Sequence, residues 1–142
     1  MMALYLPEGR LTNLLLFPHP PYNLLMHIGI DCRLPTYQMG GISQYTIHLI
    51  QALGELPIIA QYTIFHSRRE KRSFLPESKS NFSRSDLQTP CHHPLERYAL
   101  SVELLRHRLT HEVEIFHSPD FIPPAFGVRR RIVTVHDLTF LY

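Results

Sequence analysis

Chemically capable side chains collect at four places in this sequence, each time at the end of a short run rich in Ile, Val, Phe or Tyr. These are Asp31-Cys32-Arg33, His66-Ser67, His117-Ser118-Pro119-Asp120 and His136-Asp137. Histidine and carboxylate together allow general acid–base chemistry, electrostatic support of developing charge, or metal ligation. A fifth place is Gly40-Gly41, followed by Ile42-Ser43 and a long amphipathic stretch. Paired glycines let a ligand approach the backbone. A helix opening just after them offers free N–H groups and a partial positive charge, which suits phosphate. A plain tight turn would use the same pair. Neither G-x-G-x-x-G nor the Walker lysine motif occurs.

Other combinations carry less. Gly41-Ile42-Ser43-Gln44-Tyr45 departs from G-x-S-x-G at its last position, so Ser43 is not read as a nucleophile. Cys91-His92-His93 has the residue types of a zinc site, but three consecutive side chains point apart and read as loop residues. His117, Asp120, His136 and Asp137 together would suit a small metal-dependent hydrolase, and that alternative stays open. Asn81-Phe82-Ser83 matches a glycosylation sequon by chance, since no secretory signal accompanies it.

The elements that must position these groups follow from periodicity. Met26–Asp31, Gln61–His66, Val113–His117 and Arg131–His136 read as buried strands. Ile42, Tyr45, Thr46, Leu49, Ile50 and Leu53 recur on one face of a helix, with Gly54 as its left-handed terminator and Pro57 beyond. A second helix is expected from Leu95 to about Leu109, burying Tyr98, Val102, Leu105 and Leu109. Ser67 to His93 carries many basic and serine residues and reads as a solvated loop, with one short strand near Asp86–Thr89. A basic run of this kind suits phosphate or a membrane surface as its functional alternative. Strands alternating with helices give an α/β fold, a Rossmann-like parallel sheet with flanking helices. Ligands of such sheets bind beyond the carboxyl ends of the strands, where all four clusters fall.

Composition sets the frame. The chain has 142 residues, 44% hydrophobic and 18% charged, which fits one ordinary folded domain and not a disordered segment. A net charge of +2 is too near balance to point to nucleic acid. Only two cysteines, Cys32 and Cys91, argue against a disulfide scaffold and for a reducing, cytoplasmic setting. Residues 1–25 hold Pro18, Pro20 and Pro21 and no sustained period, and are expected to be an N-terminal extension outside the core. Translation could begin at Met26.

Three segments in order resemble a known family. Met26-His27-Ile28-Gly29-Ile30-Asp31 followed by Gly40-Gly41-Ile42 is similar to the start of retaining GT-B-fold glycosyltransferases of the group 1, or family 4, type. Ile115 to Pro124 (IFHSPDFIPP) and Ile132 to Leu138 (IVTVHDL) resemble two adjacent strand-end segments of that family's N-terminal domain. The resemblance implies that Gly40 and Gly41 lie against the diphosphate of a nucleotide-sugar donor. It implies that His136 supports charge developing at the transferred sugar, with Asp137 orienting it, and that His117 and Asp120 face the acceptor. The reaction would be transfer with retention to a glycan, lipid or small-molecule acceptor. It would need no metal and no cofactor beyond the nucleotide-sugar co-substrate, and the parent enzyme could associate peripherally with a membrane.

Residues 26–142 would then be a partial N-terminal, acceptor-side domain, the incomplete first half of the GT-B fold. On this resemblance the C-terminal nucleotide-sugar domain would be absent, and the isolated chain is expected to be inactive. Its last strand should leave Ile132, Val133 and Val135 uncovered. A non-catalytic remnant or binding module with the same half-fold is the other alternative.

Overall fold

The computed structural model describes residues 26–57, 60–108 and 113–137. The expected extension, residues 1–25, lies outside the described residues, as do Leu109 and Leu138. Five strands form one sheet: β1 (Met26–Asp31), β2 (Ala60–Ser67), β3 (Phe82–Leu87), β4 (Ile115–Ser118) and β5 (Arg130–Val133). Two helices cross between them, α1 (Gly41–Glu55) from β1 to β2 and α2 (Glu96–Arg108) from β3 to β4. The strand order is β3-β2-β1-β4-β5 and every pairing is parallel. The fold is α/β and Rossmann-like.

Strand alternation sorts the core onto two faces. Ile30 of β1 with Ala60, Tyr62 and Ile64 of β2 meets Ile50 of α1 on one face. Phe65 of β2 and Phe116 of β4 meet Leu100 and Leu104 of α2 on the other. Gly29 sits between the latter rings. A Cβ there would lie 2.7 Å from Phe65, so the strand needs glycine for room and not for conformation.

Four expectations change. The basic segment contains a full edge strand, β3, earlier than the short strand expected at Asp86–Thr89, and Phe74 and Leu75 pack on the α1-side core. It is a structured crossover because these apolar residues and Pro76 anchor it. Gly54 is not a left-handed terminator but a buried helical residue, and a Cβ on it would meet the Pro76 ring at 2.6 Å. α2 buries Leu100 and Leu104, leaving Tyr98, Val102 and Leu105 exposed. The apolar residues of this helix lie on more than one face, and the sheet takes the other one. The last strand ends at Val133, short of the expected His136, so Thr134 to Asp137 form a strand-end segment. Ile132, Val133 and Val135 are exposed. Among the described residues no helix is long and apolar enough to cross a membrane.

Candidate functional site

The chain builds β1, β2 and β3 outward in one direction, then returns to the other side of β1 for β4 and β5. The order therefore reverses between β1 and β4, and open sheets of this kind hold ligands at that crevice. A buried ion network ties together the elements around it. Arg33 is fully buried, grips both oxygens of Asp31 at 2.9 and 2.6 Å, and reaches Glu96 at 2.7 Å and the Thr89 carbonyl at 2.9 Å. Burial opposes the guanidinium's charge, but Asp31 and Glu96 beside it more than offset this and raise its pKa. Burial pushes the Glu96 carboxyl up, countered by Arg33 and by the His92 backbone N–H. Asp31 and Arg33 are thus a strut between β1, the segment after β3 and α2, and not members of a reactive rim.

Beyond this strut lies a cleft of about 330 Å³. One wall is the loop into α1, including Leu34, Gln38, Gly40, Gly41 and Ile42. Asp120 and Phe121 after β4, His136 after β5 and His92 ahead of α2 face it. Gly40 caps α1 with extended backbone and provides no side-chain cap. Only at Gln44 does the N–H find the Gly40 carbonyl, at 3.0 Å. The N–H groups of Gly41, Ile42 and Ser43 have no acceptor among the described residues. Three open donors and the positive end of a 15-residue helix therefore border the cleft. A Cβ on Gly41 would meet nothing within 4 Å, so that position is open.

His136 is held by its Nε2–H, which donates to the Pro119 carbonyl at 2.8 Å. Its ring meets Tyr45 edge-on at 5.0 Å. These contacts hold its ring, and Asp137 lines an adjoining cavity of about 130 Å³ with His136 and Thr134. Asp120 accepts the Phe121 N–H at 2.7 Å and binds His92 Nε2 at 2.6 Å. His117 does not line the cleft. It is half-buried, its Nε2 lies 2.9 Å from Thr134 Oγ1, and burial lowers its pKa. The structure thus brings Gly40, Gly41, Asp120 and His136 together, with Asp137 next door and His117 behind. Among the described residues no group of three or more His, Cys, Asp or Glu side chains is placed to hold one metal ion.

Two other strand-end residues turn inward. His66 is fully buried and stacked on Phe74 at 5.5 Å. Its Nε2 accepts the Phe74 N–H, which leaves the Nδ1–H for the Ile64 carbonyl at 3.2 Å, and burial lowers its pKa. Burial likewise pushes the Cys32 thiol up to about 12 and the Cys91 thiol up, so neither is a ready nucleophile. Ser43 is buried with its hydroxyl donated to the Gln38 carbonyl, consistent with its exclusion as a nucleophile.

Three contributors escaped the sequence reading. Tyr45, expected in the core, is exposed beside His136 because the helix turns Ser43 inward together with the expected Thr46 and Ile50. Phe121 is exposed and stacks on His92 at 6.1 Å. His92 was read only as one of three adjacent metal-ligand types. Its signal is conformational, a φ of 60° in the left-handed region that histidine tolerates better than most residues. Comparison with known proteins supplies no relative: no family model matches the chain, and neither a curated protein nor a solved structure does.

Proposed function

We propose that this cleft binds the diphosphate of a nucleotide sugar and that the chain is the acceptor-side part of a retaining, sugar-nucleotide-dependent glycosyltransferase. The observation that carries the reading is the uncapped N-terminus of α1 at the topological switch point, with Gly40-Gly41 on one side and His136 on the other. Backbone N–H groups of residues 41 to 43 would take the diphosphate oxygens. Glycine at 41 lets the ligand come close, since no side chain intervenes.

His136 would act at the sugar. Its Nε2–H is committed to Pro119, so in the neutral ring Nδ1 is an acceptor that can hold a sugar hydroxyl. Its contribution is orientation and electrostatic support as positive charge develops at the anomeric carbon. Asp120, held by His92 and the Phe121 N–H, adds a fixed carboxylate on the same wall. The reading rests on these contacts together with the family resemblance of Met26–Asp31, Gly40–Ile42, Ile115–Pro124 and Ile132–Leu138.

Calorimetric titration of the chain with UDP, GDP and ADP, each beside its nucleoside, tests this. At least one diphosphate should bind while its nucleoside does not. Equal binding of nucleoside and diphosphate, or none by either, would remove the diphosphate role.

A further inference from the structure

β4 and β5 are parallel, so residues 119–129 must travel from the carboxyl end of one strand to the amino end of the other. Such crossovers are usually helical. This one contains no helix, and its backbone groups need partners elsewhere. Ser101 of α2 supplies them. It is fully buried, its hydroxyl donates to the Arg97 carbonyl, and its oxygen accepts the N–H groups of Ala125 at 2.7 Å and Phe126 at 3.1 Å. One donor and two lone pairs are all that a hydroxyl has, and all are used. Gly127 follows with φ +92°, in the left-handed region, and a Cβ on it would lie 2.8 Å from the Ser101 carbonyl. The chain therefore passes against α2 at a point that calls for glycine twice over. Arg131 of β5 fastens the same point, donating to the carbonyls of Pro124 at 3.0 Å and Ala125 at 2.6 Å.

We propose that Ser101 is a positioning residue for the cleft: by pinning the crossover at Ala125 and Phe126 it sets where Asp120 and His136 stand. From the pin the chain reaches the cleft in both directions. Toward β4 it runs through Pro124 and Pro123, whose fixed φ leaves little slack, to Phe121 and Asp120. Toward the other end it runs along β5, an edge strand of four residues paired on one side only, to His136. The two arms close on each other where the His136 Nε2–H donates to the Pro119 carbonyl at 2.8 Å. Crossover and β5 thus form a ring with one fastening at the cleft and another at Ser101. Ser101 does not line the cleft and acts only through this ring. The use of His136 in glycosyl transfer rests on the function proposed above, whereas its dependence on Ser101 does not.

The test is NMR of the full chain. His136 lies edge-on to Tyr45 at 5.0 Å, so its ring protons carry a ring-current shift that reports its place. In Ser101→Ala this shift should fall by at least half and the Phe126 amide should exchange at least tenfold faster, with the β1 and β2 amide signals unmoved. Gly127→Ala, which breaks the same contact from the crossover side, should change His136 in the same way. A Ser101→Ala protein of lower stability that keeps the parent's His136 shift would make Ser101 an anchor of the fold alone and overturn the proposal. The parent provides a check that needs no variant: its Ala125 and Phe126 amides should exchange as slowly as those of β4, and free exchange there overturns the proposal too. UDP titrated into the parent separates the two readings. Absence of UDP binding contradicts the donor role and leaves the His136 measurement standing, while UDP binding with His136 unmoved in both variants contradicts the positioning role alone.

Discussion

Single side chains here divide into those that hold the fold and those that face the cleft. Glu70 belongs to the first group: Arg72 grips both its oxygens at 2.8 Å, and these hydrogen bonds outweigh burial and lower its pKa to about 2. A folded-state pKa below the ordinary 4.5 means that the stabilisation is present above pH 4.5 and is lost as pH falls toward 2. Glu70→Gln should therefore unfold at lower denaturant than the parent at pH 7, and the two denaturation midpoints should converge as pH falls toward 2. A pH-independent gap would assign Glu70 a purely steric role. His136 belongs to the second group. On the proposed glycosyl-transfer reading, His136→Ala in the active enzyme should lower kcat by roughly 10²–10³ with little change in KM for the donor, as expected for a lost preorganised contact. Steady-state kinetics would show a KM effect instead if His136 served ground-state binding. The sequence marked His136 through its place at a strand end. It could not mark Pro119 as the carbonyl that orients the ring, because that contact spans 17 residues.

Between elements, close approach decides more than propensity does. Alanine is favoured over glycine in a helix by about 1 kcal/mol. At Gly54, however, the new Cβ would lie 2.6 and 2.7 Å from two atoms of the Pro76 ring, and overpacking of this kind costs about 1–3 kcal/mol. Gly54→Ala should thus be destabilising on balance, read by chemical denaturation. A more stable variant would mean that the crossover between β2 and β3 yields easily. The strands and α1 were legible because period and residue type agree over several turns or alternations. The buried face of α2 was not, since two apolar stripes share that helix and the side chains of β2 and β4 decide between them. β3 was expected too late and too short for a related reason: Arg84 and Asp86 lie on an edge strand and pair with each other at 2.8 Å, so its first half reads as polar loop.

Among the described residues, apolar side chains are exposed on α2, at Tyr98, Val102 and Leu105, and on and after the edge strand β5, at Ile132, Val133 and Val135. Exposed patches and an unpaired edge favour self-association. Sedimentation velocity should show mass rising with concentration, whereas a single monomeric species over a hundredfold range would contradict this. At this scale the parallel sheet and the convergence of strand ends were legible from the order of the elements. The division into a cleft, an inward-facing His66 and a structural Asp31–Arg33 strut was not, because it depends on which strand-end side chains the crossovers cover. The central claim is that the open N-terminus of α1 receives a nucleoside diphosphate. Gly41→Ala tests it cleanly, since its Cβ meets no protein atom within 4 Å and should leave folding intact. In an amide NMR titration with the nucleoside diphosphate that binds in calorimetry, the N–H signals of residues 41 to 43 should shift most in the parent. The variant, with an otherwise unchanged spectrum, should bind at least tenfold more weakly. Shifts confined to other parts of the chain, or equal affinity in the two proteins, would contradict the account.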